Sequence, residues 1–259
     1  MITETLFFSW LEATAVFILL SLSIFGYSAQ LGFVFRKLNS LSQIVLGLGF
    51  FLSMIVLIGM LGAYTTPFQT AWVGLGVYFL FKRWRYLPEF TLPKKPDWLW
   101  LLFPLGYWLC RFFSCGIPQQ HSDPLYYHLS AAKHWAEMGQ IKLVLEHPSF
   151  AQTGIWEALY GIPQLWFGLS GSYAHVKAQL VGQWLHFFWG QIGSALAASA
   201  VLRLLISKLQ PGFSIFWGWL LVSLPSFEWT GCLAKNEYIV LLFILCAVAE
   251  MLKRNFFIS

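Results

Sequence analysis

Apolar residues along this chain fall in long unbroken blocks separated by short polar or basic breaks. The blocks cover residues 10–35, 41–64, 68–81, 98–115, 176–206, 213–224 and 238–251. Several approach the ~20 residues that an α-helix needs to cross a ~30 Å hydrocarbon layer. None has the strict alternation of an outer-membrane strand. The pattern predicts an all-α, polytopic bundle of about seven spans. No basic stretch with a small-residue cleavage site precedes the first block, so it reads as a retained span rather than a removed signal.

One stretch breaks the pattern. Residues 116–174, between the fourth and fifth blocks, carry His121, His128, His134 and His147 together with Asp123, Glu137, Glu146 and Glu157. Within it Asp123 fits a helix N-cap, Pro124 the first helical position and Gly139 the stop. Leu125, Leu129, Ala132 and Ala136 share one face at helical spacing. The expectation is a loop with short amphipathic helices lying on the membrane surface.

Charge orients the bundle. Basic residues cluster at Arg36/Lys37, at Lys82, Arg83, Arg85, Lys94 and Lys95, at Arg203/Lys208 and at Lys253/Arg254, which is every second loop. Under the positive-inside rule those loops face the cytoplasm. The amino terminus, residues 65–67, the 116–174 loop and residues 227–237 then share the outer face. The proline-rich stretch 86–97 reads as a linker, dividing the chain into a three-span extension (1–96) and a membrane core (97–259).

Composition agrees. Hydrophobic residues make up 58% of the 259 and charged residues 10%, against about 25% in an average globular domain. The net charge of +5 is a topology signal here, and a nucleic-acid partner is not expected. Four cysteines give no metal-binding spacing. Cys110 and Cys246 read as small core residues, and Cys115 and Cys232 fall near one membrane face, which leaves a disulfide open. Trp98, Trp100, Trp156, Trp166 and Trp229 sit near block ends, as interfacial anchors do. Gly47, Gly49, Gly59, Gly62, Gly74 and Gly76 read as small residues that permit close helix packing. Glu12, His186 and Glu250 lie in or near spans, where an ionisable group is costly enough to call for a partner inside the bundle.

The stretch Asp123-Pro-Leu-Tyr-Tyr127-His128-Leu-Ser-Ala-Ala-Lys133-His-Trp-Ala-Glu-Met-Gly139-Gln-Ile141 follows an apolar block on the outer face. It resembles the first loop of the GT-C superfamily of polyprenyl-phosphate-sugar-dependent glycosyltransferases. Within that superfamily it is similar to bacterial members akin to the protein O-mannosyltransferases and to the aminoarabinose transferase of lipid A. Glu157-Ala-Leu-Tyr160-Gly and Lys235-Asn236-Glu237 are further similar stretches, so the resemblance runs from Trp98 to the end. It implies a membrane enzyme of the bacterial inner membrane that moves a sugar from a polyprenyl-phosphate donor to a lipid, glycan or protein acceptor on the periplasmic face.

By the same resemblance Asp123 is the base, and Glu237 or Glu228 holds the phosphate donor or a divalent metal, with Asp123 as a second candidate metal ligand. Lys235 and His128 are candidates for the donor phosphate, and Tyr127, His147 and Glu157 for the sugar or acceptor loop. Each has a plainer reading. Asp123 caps a helix, His128 presents a polar tip at the interface, Lys235 anchors a span end, and Glu157 and His147 belong to a solvated loop. Relatives continue through more spans than this sequence holds, which keeps open an inactive or incomplete subunit that binds membrane lipid or supports a partner chain. A small transporter or flippase would need broken polar helices at the midplane, and few such features occur.

Overall fold

The computed structural model describes residues 2–36, 38–87, 98–117, 128–142, 155–170, 172–206, 208–223 and 237–255. Every regular element among them is helical. In chain order these are α1 (Ile2–Val34), α2 (Ser40–Met60), α3 (Thr66–Arg83) with a 3₁₀ turn at Trp84–Tyr86, α4 (Trp98–Ser114), α5 (Leu129–Met138), α6 (Ile155–Phe167), α7 (Ser172–Leu185), α8 (Gly193–Leu205), α9 (Pro211–Val222) and α10 (Glu237–Asn255). A π-helical stretch, His186–Ile192, fuses α7 and α8 into one rod. Three helices are long and apolar enough to cross a membrane: Phe7–Val34, Ser40–Met60 and Tyr173–Leu205.

The bundle forms because small residues let backbones approach. Helices α1 and α3 meet at Gly26 and Gly76: a Cβ built on Gly26 would lie 1.8 Å from the Gly76 carbonyl oxygen. Tyr27 beside it stacks on Trp72, 4.5 Å between ring centroids, and donates its hydroxyl to the Trp72 carbonyl at 2.9 Å. Gly47 does the same for α1 and α2, lying against Ser28, whose hydroxyl reaches the Ile24 and Ile44 carbonyls at 2.9 and 3.3 Å. Gly62 instead sits in the α2–α3 turn at φ 81°, and Gly74 faces open space. These two glycines do not pack helices, contrary to the expectation from sequence.

Aromatic rings join α1, α4 and the α7–α8 rod. Trp184 meets Trp10 edge-on at 5.1 Å, stacks on Phe112 at 5.4 Å and donates Nε1–H to the Phe112 carbonyl at 3.1 Å. Polar hydroxyls tie the carboxyl-terminal helices. Ser194 donates to the Tyr238 carbonyl and Tyr238 to the Val222 carbonyl, both at 2.8 Å, and Ser199 and Ser214 bond at 2.8 Å. Cys246 is buried as expected, whereas Cys110 faces outward from α4 and is no core residue. Cys115 is buried, and Cys232 lies outside the described residues.

The two ends of the bundle differ. At one end Arg36 and Arg83 lie over the rings of Phe33 and Tyr86, and Glu250 near the end of α10 accepts from the Asn39 backbone N–H at 3.0 Å and side-chain Nδ2 at 2.6 Å. Asn39 Oδ1 in turn caps α2 through the Ser42 N–H at 2.8 Å. Glu250 thus has the partner that its location demands. Glu12 is paired with Lys177, which joins α1 to α7. At the other end the α2–α3 turn receives α5: Tyr64 N–H donates to the Gly139 carbonyl at 2.9 Å and Ile141 N–H to the Gly59 carbonyl at 3.0 Å.

Gly26→Val forces the side chain into the α3 backbone, which cannot move away, so it should cost about 1–3 kcal/mol, while Gly74→Val should be nearly neutral. Thermal unfolding of both variants in the same detergent checks this.

Candidate functional site

The site is built on α5 and α6 at the end that receives the α2–α3 turn. Gly139 ends α5 as the sequence predicts, in the left-handed conformation (φ 64°) that turns the chain back toward Tyr64. Leu129, Ala132 and Ala136 are buried on one face as predicted. That face is covered by protein, chiefly α6, rather than laid on lipid, and Ala131 and Trp135 widen it. Helix α6 departs further from a surface helix, since every residue from Trp156 to Gln164 is buried.

Burial changes the chemistry of two residues expected to be wet. Glu157, placed in a solvated loop by its sequence context, is 0% exposed in the first turn of α6, and His128, expected as an interfacial tip, is 3% exposed. His128 Nδ1–H donates to Glu157 Oε1 at 2.6 Å. Removing a carboxyl group from water is tolerable only with such partners.

Tyr160 lies one turn along α6. Trp156 donates Nε1–H to its hydroxyl oxygen at 2.6 Å, so Trp156 is a buried partner of the site and not an interfacial anchor. Burial pushes the Tyr160 phenol well above its usual pKa, and the nearby carboxylates of Glu157 and Glu237 push the same way. The phenol therefore stays protonated. Glu237, exposed at the start of α10, is near enough to act on Tyr160 through its field, which puts a third sequence candidate at this end.

Two glycines admit these rings. A Cβ on Gly182 of α7 would stand 3.2 Å from the Tyr160 ring, and one on Gly161 would overlap the Tyr64 hydroxyl. Tyr64 uses that space to donate to the Ala158 carbonyl, so the α2–α3 turn holds α6 and, through Gly139, α5 as well. Farther along α6, Gln164 and Gln179 contact the two ring nitrogens of His175 at 3.5 and 3.1 Å. His186, fully buried, opens the π-helical stretch with its ring 5.7 Å from that of Tyr238, next to Glu237.

The structure thus brings together His128, Glu157 and Glu237 from the sequence candidates. Asp123, Tyr127, His147, Glu228 and Lys235 lie outside the described residues. Tyr64, Gln164, His175 and Gln179 were missed. Gln164 could have been found, because with Tyr160 it continues the Glu157 stripe, at i+7 on one helical face. Among the described residues no three His, Cys, Asp or Glu side chains converge on a metal-sized site. Compared with known proteins, the chain matches no family model, no curated protein and no solved structure.

Breaking the buried pair should be expensive. His128→Ala and Glu157→Ala should each cost roughly 3–5 kcal/mol, and the double substitution clearly less than their sum. A double-mutant cycle from equilibrium unfolding in mixed micelles measures the coupling, and additive costs would contradict the pairing.

Proposed function

We propose that this chain is a seven-span protein of the bacterial inner membrane and a glycosyltransferase of GT-C type, acting alone or with a partner chain. The carrying observation is the position of the His128–Glu157 pair, at the end of the bundle away from Arg36 and Arg83. The positive-inside rule puts the arginine end in the cytoplasm and hence the pair on the periplasmic side. There a polyprenyl-linked donor presents its phosphate at headgroup depth.

In this reading the Asp123 carboxylate takes the proton from an acceptor hydroxyl as that oxygen attacks the anomeric carbon. The bond from that carbon to the phosphate oxygen breaks, and polyprenyl phosphate leaves with the electron pair. His128 lies five residues past Asp123, and its ring is fixed by Glu157, which anchors the segment that carries the base. Glu237 opens α10, and Lys235, two residues before it in the sequence, is the cation assigned to the departing phosphate. A positioned carboxylate acting as base contributes typically 10²–10⁴-fold.

One observation favours a second reading. His128 and Glu157 satisfy each other inside the protein, as a purely structural tie would, which suits an inactive subunit that supports a partner chain.

Purified protein in lipid should release polyprenyl phosphate from at least one polyprenyl-phosphate sugar, and Asp123→Asn should cut that release by about 10²–10⁴-fold without loss of folding. Equal release by wild type and variant would remove Asp123 from the chemistry. No release from any donor, with acceptors and divalent metal supplied, would favour the subunit reading.

A further inference from the structure

The opposite end of the bundle holds a feature that glycosyl transfer does not use. Between the last turn of α1, the first half of α2 and α10 lies a groove of about 520 Å³, lined by Leu38, Val45, Phe50, Phe243, Ala247 and Glu250 among others. Its volume falls in the roughly 300–1,000 Å³ range of small-molecule sites. Gly49 keeps the floor open, since a Cβ there would stand 3.2 Å from the Phe243 ring. Phe35 and Phe50 on its walls are about half exposed, so the groove opens sideways into the surroundings of the bundle.

The walls are almost wholly apolar, and the mouth is charged. Glu250 sits there with Oε1 held by two N–H groups of Asn39. Lys253 follows one turn beyond Glu250, on the stripe Phe243, Ala247, Glu250 that lines the groove. An occupant must therefore be a long apolar chain whose anionic group lies just past the groove. Helix α2 has 21 residues and is about 30 Å long, so this mouth is one membrane thickness from the His128 end. The phosphate of a donor held at His128 would lie at the opposite face, so an anionic group at this mouth belongs to a different lipid.

We infer that the groove is a phospholipid site of the cytoplasmic leaflet, with one acyl chain between α2 and α10 and the phosphodiester against Lys253. The inference stands apart from glycosyl transfer and needs only the membrane setting. Native mass spectrometry of the full chain in mild detergent with phosphatidylglycerol tests it. Wild type should retain one lipid. Ala247→Trp, which fills the groove from an exposed position, should lower retention about tenfold, a change of about 1.4 kcal/mol. Ile244→Trp, on an exposed face of α10 outside the groove, should retain lipid as wild type does, which shows that a tryptophan on this helix is tolerated. Lys253→Glu should reduce retention of phosphatidylglycerol more than of phosphatidylcholine. The inference is overturned if wild type retains no lipid, if both tryptophan variants retain it equally, if Lys253→Glu changes nothing, or if the added mass is a second copy of the chain.

Discussion

A carboxyl group shut away from water must find donors inside the protein, and Glu157 is shut away completely. His128 meets that demand at 2.6 Å. Because His128 opens the α5 region and Glu157 lies in the first turn of α6, the bond sets how these two helices face each other. Their other contacts follow from it: Trp156 reaches Tyr160, Gly182 and Gly161 make room for the rings, and Tyr64 clasps both helices to the α2–α3 turn. Polar ties and close backbone approach give the end of the bundle its specificity.

Much of the architecture was legible because membrane helices carry a coarse signal. Each apolar block proved helical, and Gly139 announced its own left-handed cap. The loop between α4 and α7 was read less well. Its polar residues imply solvent when only neighbours in sequence are considered, yet Glu157 and Gln164 are buried because α5, α6 and α7 cover one another. Tyr64 was invisible for the same reason. It lies in a short turn, and its partner Ala158 is 94 residues away. Cys110 and Gly74 show the converse error, because an apolar block in a membrane chain does not say which of its faces meets protein and which meets lipid.

The arrangement divides labour between two ends. The arginine end is pinned by the Asn39–Glu250 cap and by cation–π contacts, and it borders an apolar groove. The opposite end holds the acids, the paired histidine and a protonated tyrosine. Buried polar side chains also run along the α7–α8 rod at Gln183, His186, Gln191 and Ser194.

The account depends on these ends lying on opposite sides of a membrane, with the His128–Glu157 end outside. Single cysteines at Leu61, 77% exposed in the α2–α3 turn, and at Lys208, exposed between α8 and α9, report this directly in intact bacteria treated with a membrane-impermeant maleimide. Leu61→Cys should label above the wild-type background in intact cells, and Lys208→Cys only after the membrane is opened. Labelling of Lys208→Cys from outside, with Leu61→Cys protected, would invert the bundle and remove the site from the periplasmic face.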